Sequence, residues 1–184
     1  MDKADALDTT IEDYRKIIEC KTASLFIAAV KSGAISAGAE MEKVEAVAQY
    51  AYHLGMAFQM RDDIFDYSPK MDTGKLAGAD LKERKITLPL LCAMESAPHK
   101  ETEIRSLVHK IESNIASNDE ISSAEKDIIM EVTAFVNGQN GIEKAQAVLE
   151  EHIAKAIESI SMLPESTAKE RLVQLAEYVG KRNN

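Results

Sequence analysis

Residues that interrupt helices are scarce in this sequence. It contains only 8 glycines and 4 prolines among 184 residues, which is about half the share usual in soluble proteins. Because glycine and proline mark most turns, a chain with so few of them favours long helices joined by few connections. No segment alternates apolar and polar residues in the manner of a strand. The composition therefore predicts an all-α fold.

Cysteines and long apolar runs are also few. Cys20 and Cys92 are the only cysteines, and neither belongs to a CxxC or Cys/His spacing. This argues against a zinc site and is typical of reduced thiols in a cytoplasmic protein. The longest apolar runs, such as 23–30, span about two helical turns, whereas a membrane span needs about 20 residues. With an acidic N-terminal segment unlike a secretion signal, we expect a cytoplasmic protein without a transmembrane segment.

Positive charge is in the minority. The chain has 22 Lys and Arg against 31 Asp and Glu, for a formal net charge of −9. Nucleic-acid binding needs a basic surface, and no basic cluster is evident, so we expect no nucleic-acid partner. Hydrophobic residues make up 45% of the chain, which is ample for a folded core and argues against disorder.

Apolar residues recur at intervals of three and four along the chain, which predicts helices that pack through one face. The predicted helices cover 10–32, 41–67, a stretch from 86 onward, 104–115, 128–136, 142–160 and 172–179. Gly33, Gly38 and the small residues between them are expected to end the first helix, and Ser68-Pro69 the second. Residues 68–84 form the one substantial predicted loop. The length suits a single antiparallel helical domain over 1–184.

Three carboxylates share one face at the end of the second predicted helix. In FQMRDDIFD at 58–66, a rotation of about 100° per residue brings Gln59, Asp62, Asp63 and Asp66 into one arc. These carboxylates repel one another, and the negative end of the helix dipole adds to the cost. A hard divalent cation such as Mg²⁺, shared with a substrate phosphate, would relieve both effects. The alternative is a solvated acidic helix end.

Lysines follow the acidic cluster in the predicted loop. Lys75 and Lys85 lie on either side of Asp80. Ammonium groups facing a carboxylate cluster fit a Mg²⁺–diphosphate site, because metal and lysine neutralise the anion from two sides. Each lysine taken alone is more typical of a solvated loop charge. Upstream, Lys21 and Thr22 lie within the first predicted helix, where a surface lysine and a packing threonine are the ordinary interpretation.

Taken together, these segments resemble the trans-type polyprenyl diphosphate synthases. The matching blocks are YRKIIECKTASLF at 14–26, GMAFQMRDDIFDY at 55–67 and TGKLAGADLKERKITLP at 73–89. The resemblance implies an antiparallel helical bundle of the isoprenoid synthase type. It also implies Mg²⁺-dependent condensation of isopentenyl diphosphate with an allylic prenyl diphosphate, in isoprenoid biosynthesis.

The resemblance implies a role for each residue singled out above. The implied Mg²⁺ ligands are Asp62, Asp63 and Asp66, which match the second aspartate-rich motif. The implied diphosphate contacts are Lys21, Lys75 and Lys85. The implied catalytic residues are Lys21, Thr22 and Gln59, of which Thr22 and Gln59 would stand beside the allylic carbocation. Phe58 would form a wall beside Gln59, and Asp80 would lie near a metal-bound water.

Two features of the family are missing from the sequence. One is the first aspartate-rich motif with its arginines, and the other is the Gly-Lys/Arg segment that binds isopentenyl diphosphate. We therefore expect the C-terminal portion of a synthase, without the N-terminal helices, whose full-length parent is a homodimer and which alone condenses little or no substrate.

Three alternatives stay open. The chain is a non-catalytic half-domain subunit or regulatory partner of another prenyl synthase, a terpene cyclase or squalene-type synthase, or a structural helical module. Cyclases usually replace the second acidic motif with a mixed Asn/Ser/Glu pattern, and the intact Asp62-Asp63-Ile64-Phe65-Asp66 sequence argues against them.

Overall fold

The fold is taken from a computed structural model, which describes residues 8–67, 78–111 and 122–181. Within these ranges all regular structure is helical, and the all-α prediction is confirmed. The α-helices are α1 (Ile11–Ile18), α2 (Ser24–Ser36), α3 (Met41–Asp66), α4 (Ala79–Lys82), α5 (Leu88–Ser96), α6 (Glu101–His109), α7 (Ser123–Gly138), α8 (Gly141–Ser159) and α9 (Thr167–Gly180). A π-helical segment, Glu19–Ala23, joins α1 to α2, and a 3₁₀ turn, Pro98–Lys100, precedes α6.

The first helical tract is longer than the sequence predicted. It continues through Gly33 and ends at Ser36, so the expectation that Gly33 ends it was wrong. No heavy atom lies within 4 Å of the position a Gly33 side chain would take, and an exposed helical glycine costs only about 1 kcal/mol. The residue that ends the tract is Gly38, whose φ of +72° is the left-handed conformation typical of a helix C-terminus.

The second predicted helix agrees closely with α3. The loop predicted over 68–84 contains a short helix, α4, and its residues 68–77 lie outside the described residues. Gly78 precedes α4 with φ of +99°, and an added Cβ would stand 2.8 Å from Ile129 Cγ2. Both the backbone conformation and the space at this position therefore require glycine.

The four predicted C-terminal helices correspond to α6, α7, α8 and α9. The helix predicted over 104–115 ends at His109, and residues 112–115 are outside the described ranges. A capping box begins α7: the Ser122 hydroxyl accepts from the Glu125 amide at 3.2 Å, and Glu125 accepts from the Ser122 amide at 3.0 Å. Gly138 is the last residue of α7, two residues beyond the end predicted from the apolar pattern over 128–136.

Contacts divide the chain into two compact units, so the expected single domain over 1–184 stays a prediction. The described part of the first unit comprises 8–14, 62–67, 78–111 and 122–145, and that of the second comprises 15–61 and 146–181. The first unit is built around α5, whose residues from Leu88 to Met94 are all buried. The second unit packs α3, α8 and α9 together, with the Tyr50 hydroxyl donating to the Leu172 carbonyl at 2.8 Å.

Helix α2, in the second unit, is apolar but has no buried residue among those described. Leu25 and Ile35 are 70% and 57% exposed. No helix in the described ranges is both long enough and apolar enough to cross a membrane.

Candidate active site

The acidic cluster at the end of α3 contains carboxylates in three different environments. Asp62 is exposed, Asp63 is buried with 6% of its surface accessible, and Asp66 is half-buried. All three belong to the first unit, together with Asp80 and Lys85. Only Asp62 therefore presents its carboxylate fully to solvent.

Asp63 is fixed by a tyrosine from α1. The Tyr14 hydroxyl donates a hydrogen bond of 2.6 Å to Asp63 Oδ2, and both side chains are buried. Burial raises the pKa of the Tyr14 hydroxyl well above its usual range, and the neighbouring Asp63 charge adds to this increase. The tyrosine therefore keeps its proton and serves Asp63 as a permanent donor.

Asp66 holds the start of α4. Its Oδ1 accepts from the Ala79 amide and its Oδ2 from the Asp80 amide, each at 2.9 Å. The Asp66 carbonyl also accepts from the Gly78 amide at 3.0 Å. These bonds join the end of α3 to the start of α4, and they place a carboxylate at a helix N-terminus, where amide donors stabilise its charge.

Asp80 and Lys85 complete the described charges around the cluster. The pKa of Asp80 is raised to about 6, mainly by burial and also by the charges of Asp66 and Asp63, while Lys85 opposes the increase. The Lys85 ammonium is half-exposed and pairs with Glu83, and that hydrogen bond raises the pKa of Lys85. The excess of negative charge here favours a cation.

The described carboxylates suit a Mg²⁺ site in which the protein supplies only one or two of the ligands. No group of three His, Cys, Asp or Glu side chains among them is arranged to hold a metal ion. Mg²⁺, however, is usually held by only one or two carboxylates and completes its shell with water and substrate phosphate. An exposed Asp62 beside the fixed carboxylates of Asp63 and Asp66 suits that kind of site.

The second unit contains the polar pair predicted upstream. The Thr22 hydroxyl donates to Gln59 Oε1 at 2.9 Å, so the structure brings these two residues together. Thr22 is half-buried, whereas Lys21, its neighbour in the π-helical segment, is exposed. Lys75, the remaining predicted site residue, lies outside the described residues.

Sequence reasoning missed the π-helical segment itself. Single π turns within α-helices are frequent at functional sites. An added Cβ on Gly55 of α3 would lie 2.7 Å from Ala23 Cα, so α3 passes very close to the end of this segment. The available signal was a glycine in the middle of a long helix, which often marks a close approach of two backbones.

Aromatic and cationic side chains surround Phe58. Its ring centroid is 5.8 Å from that of Phe26, and the Arg61 guanidinium lies 5.1 Å from the Phe58 centroid. Arg61 also lies 6.0 Å from the Tyr178 ring. Arg61 had no predicted role, and the structure gives it cation–π contacts that fix this part of α3.

Comparison with known proteins identifies the family. The family model described as Polyprenyl synthetase matches residues 1–126. This chain belongs to the polyprenyl synthetase family. Among curated relatives, it is 34% identical to the short chain isoprenyl diphosphate synthase of Methanothermobacter thermautotrophicus, over 97% of this chain and 51% of the relative. It is 35% identical to the octaprenyl diphosphate synthase of Haemophilus influenzae, over 96% and 50%.

Solved structures of polyprenyl synthetase relatives share the fold. The heptaprenyl diphosphate synthase of Staphylococcus aureus matches with a TM-score of 0.80 and 28% identity, over 97% of this chain and 52% of that one. The polyprenyl synthase of Caulobacter crescentus, complexed with calcium and isoprenyl diphosphate, matches with a TM-score of 0.78 and 32% identity, over 96% and 51%. The predicted family and fold type are confirmed, and the chain spans about half the length of the curated relatives it matches.

Proposed function

We propose that this chain is the C-terminal part of a polyprenyl diphosphate synthase, which condenses isopentenyl diphosphate with an allylic prenyl diphosphate in isoprenoid biosynthesis. The observation that carries the proposal is the set of three environments at the end of α3. Asp62 is exposed, while Tyr14 fixes Asp63 and the amides of α4 fix Asp66. This arrangement offers one accessible carboxylate supported by two that are rigidly held.

In the proposed site Asp62 binds Mg²⁺ directly, and Asp63 and Asp66 supply further negative charge for the metal and its waters. Mg²⁺ held there would supply positive charge that neutralises the diphosphate. Lys85 would contact the diphosphate in exchange for its ion pair with Glu83, and Lys21 and Lys75 are the other diphosphate contacts that the family resemblance implies. Asp80, half-buried near Asp66, would accept a hydrogen bond from a water of the metal.

Thr22 and Gln59 are proposed to stabilise the allylic cation that forms when the diphosphate leaves. The Thr22 hydroxyl directs its proton to Gln59, so the oxygen lone pairs remain available to a positive centre. Preoriented dipoles of this kind stabilise a developing charge without reorganisation. Phe58, packed against Phe26, forms the wall beside Gln59.

The relatives support the substrate class and the metal. The Caulobacter crescentus structure combines a divalent cation, calcium, with isoprenyl diphosphate. We extend to this chain a divalent cation of the same charge, Mg²⁺, and a prenyl diphosphate. We also propose a cytoplasmic location, and a homodimer for the full-length parent.

A second candidate function is a half-domain subunit or regulatory partner that works with another polypeptide. The apolar helix α2 has no buried residue among those described, which suits a surface completed by a partner. One relative is named heptaprenyl diphosphate synthase component 2, from Bacillus subtilis, with 29% identity over 96% of this chain. Activity found only after mixing with a polypeptide that supplies the other half of the relatives' length would favour this candidate.

The main proposal is tested by calorimetric titration with Mg²⁺ and inorganic diphosphate together. We expect Asp62→Asn to weaken binding by about tenfold or more. Asp127→Asn, a matched change at an exposed acid on α7, is expected to leave binding unchanged. Equal binding by the two variants would contradict the proposal. We also expect little or no condensation activity from this chain alone, and turnover close to that of full-length relatives would overturn that expectation.

A further inference from the structure

Two histidines that the proposed function does not use meet within the second unit. His53 of α3 and His152 of α8 are 99 positions apart, and their Nδ1 atoms lie 3.0 Å apart. The ring centroids are 5.0 Å apart, and the Tyr52 ring lies 5.0 Å from that of His53 and 6.4 Å from that of His152. The imidazoles are thus held by packing between two long helices.

Both rings are neutral at pH 7. The pKa of His152 is lowered to about 4, mainly by burial and also by the neighbouring His53 and Lys155. Burial is also the main cause that lowers the pKa of His53. Neutral imidazole is the form that binds metals.

We propose that the Nδ1 atoms of His53 and His152 chelate a divalent transition-metal ion of tetragonal preference, Cu²⁺ or Ni²⁺, with water completing its coordination. In the hydrogen bond between the two Nδ1 atoms, one ring carries an Nδ1 proton and donates it, and the other ring accepts through its Nδ1 lone pair. That proton moves to Nε2 of the same ring when the metal binds, so both Nδ1 lone pairs become available and no net proton is released.

The spacing of the two nitrogens selects the metal. With metal–nitrogen bonds of about 2.0–2.1 Å, nitrogens 3.0 Å apart subtend an angle of about 94° at the metal. This is close to the right angle between neighbouring ligands in square-planar or tetragonal sites, the geometry of Cu²⁺ and Ni²⁺. A tetrahedral Zn²⁺ site needs the nitrogens about 3.3 Å apart. The general order of affinities also places Cu²⁺ above Zn²⁺.

The surroundings predict a site that binds the metal ion with moderate affinity and releases it readily. Among the described residues no third His, Cys, Asp or Glu is arranged with the two rings to hold a metal, so water occupies the other positions. The nearby Lys155 ammonium pairs with Glu151 at 2.6 Å, which offsets its charge. Bound metal would link α3 to α8 in the folded state only, and would therefore raise the unfolding temperature.

The test is a calorimetric titration of the full chain with Ni²⁺ in the presence of excess Mg²⁺, which occupies the acidic cluster. Ni²⁺ is the first probe because Cu²⁺ can oxidise the exposed Cys20 thiol. We expect His53→Gln and His152→Gln each to lose at least about tenfold in affinity. His99→Gln, at an exposed position in the 3₁₀ turn, is the matched control and is expected to bind as the wild type does.

Two further measurements keep the outcome decisive. Ni²⁺ should raise the unfolding temperature of the wild type but not of His152→Gln. Cu²⁺ bound to a Cys20→Ser background should give an electron paramagnetic resonance spectrum with nitrogen couplings. The absence of both effects in the wild type would overturn the proposal even if a variant failed to fold.

Unchanged Ni²⁺ binding in both histidine variants, or tighter binding of Zn²⁺ than of Cu²⁺ and Ni²⁺, would also overturn it. The proposal does not depend on prenyl transfer, so its failure leaves the proposed function untouched.

Discussion

Tyr14 and Asp63 are separated by 49 positions and joined by a buried hydrogen bond of 2.6 Å. The bond connects α1 to the middle carboxylate of the acidic cluster on α3. A buried carboxylate without donors is costly, and a charge-assisted bond to a hydroxyl is among the stronger hydrogen bonds in proteins. Tyr14 therefore offsets part of the cost of burying Asp63, one residue from the exposed Asp62.

Replacement of Tyr14 by phenylalanine tests this relationship. Tyr14→Phe keeps the ring but leaves a buried carboxylate oxygen without this donor, and we expect the free energy of unfolding to fall by about 1–3 kcal/mol. Urea denaturation measures this change. Because Asp63 is then held less firmly beside Asp62, the combined affinity for Mg²⁺ and inorganic diphosphate should fall as well. Tyr178→Phe, at a 58% exposed tyrosine, is the control, and equal effects of the two variants would contradict the assigned role.

The hydrogen bond between Thr22 and Gln59 makes a second prediction. Thr22→Val preserves the shape of the side chain but removes the donor, and Gln59→Leu removes the acceptor. Because the Thr22 hydroxyl donates to Gln59 Oε1 at 2.9 Å, a double-mutant cycle on the free energy of unfolding should give a coupling of about 0.5–1.5 kcal/mol. Thr133→Val, at a half-buried position on α7, is the comparison for the loss of a hydroxyl. Additive effects of Thr22→Val and Gln59→Leu would show that the pair does not interact.

Several features of this fold could be predicted because they depend on local sequence. The end of α3 at Asp66 lies one residue from the predicted end at 67, which was based on Ser68-Pro69 because the residue before a proline avoids the helical conformation; Ser68 and Pro69 themselves lie outside the described residues. The expectation that Asp62, Asp63 and Asp66 share one helix face uses only the rotation per residue of a helix, and it does not indicate that Asp62 is exposed while Asp63 is buried. Such signals lie within a few residues of the feature they predict.

The remaining features depend on partners that are distant in the sequence. Nothing near Asp63 indicates that Tyr14 binds it, because the pairing depends on how α1 and α3 pack. The π-helical segment likewise accompanies a close approach between Ala23 and Gly55. The sequence predicted that Gly33 ends a helix, because glycine is a poor helix former. Gly33 is tolerated within the helix because its position is exposed, and exposure is a property of the folded chain that the local sequence does not reveal.

Gly78 offers a test of the backbone at the start of α4. Its φ is +99°, and an added Cβ would lie 2.8 Å from Ile129 Cγ2. We expect Gly78→Ala to destabilise the chain by about 1–3 kcal/mol and, because α4 supplies the amides that bind Asp66, to weaken the binding of Mg²⁺ with diphosphate. Gly138→Ala is the control: it has no neighbour within 4 Å and should be neutral or stabilising by up to about 1 kcal/mol. Equal stability of the two variants would contradict this account of Gly78.

The histidine pair predicts a pH dependence of stability. The pKa of His152 is lowered to about 4 and that of His53 is lowered as well, whereas an unfolded histidine titrates near about 6.5. Burial is the largest cause for both. Lys155 lowers both pKa values, Glu151 raises both, and Arg15 lowers that of His152. As the pH falls below about 6.5 the unfolded chain takes up protons that the folded pair does not, so the stability of the fold decreases towards pH 4.

His152→Gln isolates this contribution from the other titrating groups. The variant removes one of the two rings that resist protonation, so its free energy of unfolding should fall less steeply than that of the wild type between pH 7 and pH 5. Because the rings are only partly buried, we expect a difference on the order of 1 kcal/mol over this interval. Urea denaturation at a series of pH values, without added metal, measures it. His99→Gln, at an exposed position in the 3₁₀ turn, is the matched control and is expected to follow the wild-type curve. If the free energy of unfolding depends on pH in the same way for the wild type and His152→Gln, then His152 has the same pKa in the folded and the unfolded chain. That result would contradict the inference that burial lowers the pKa of His152.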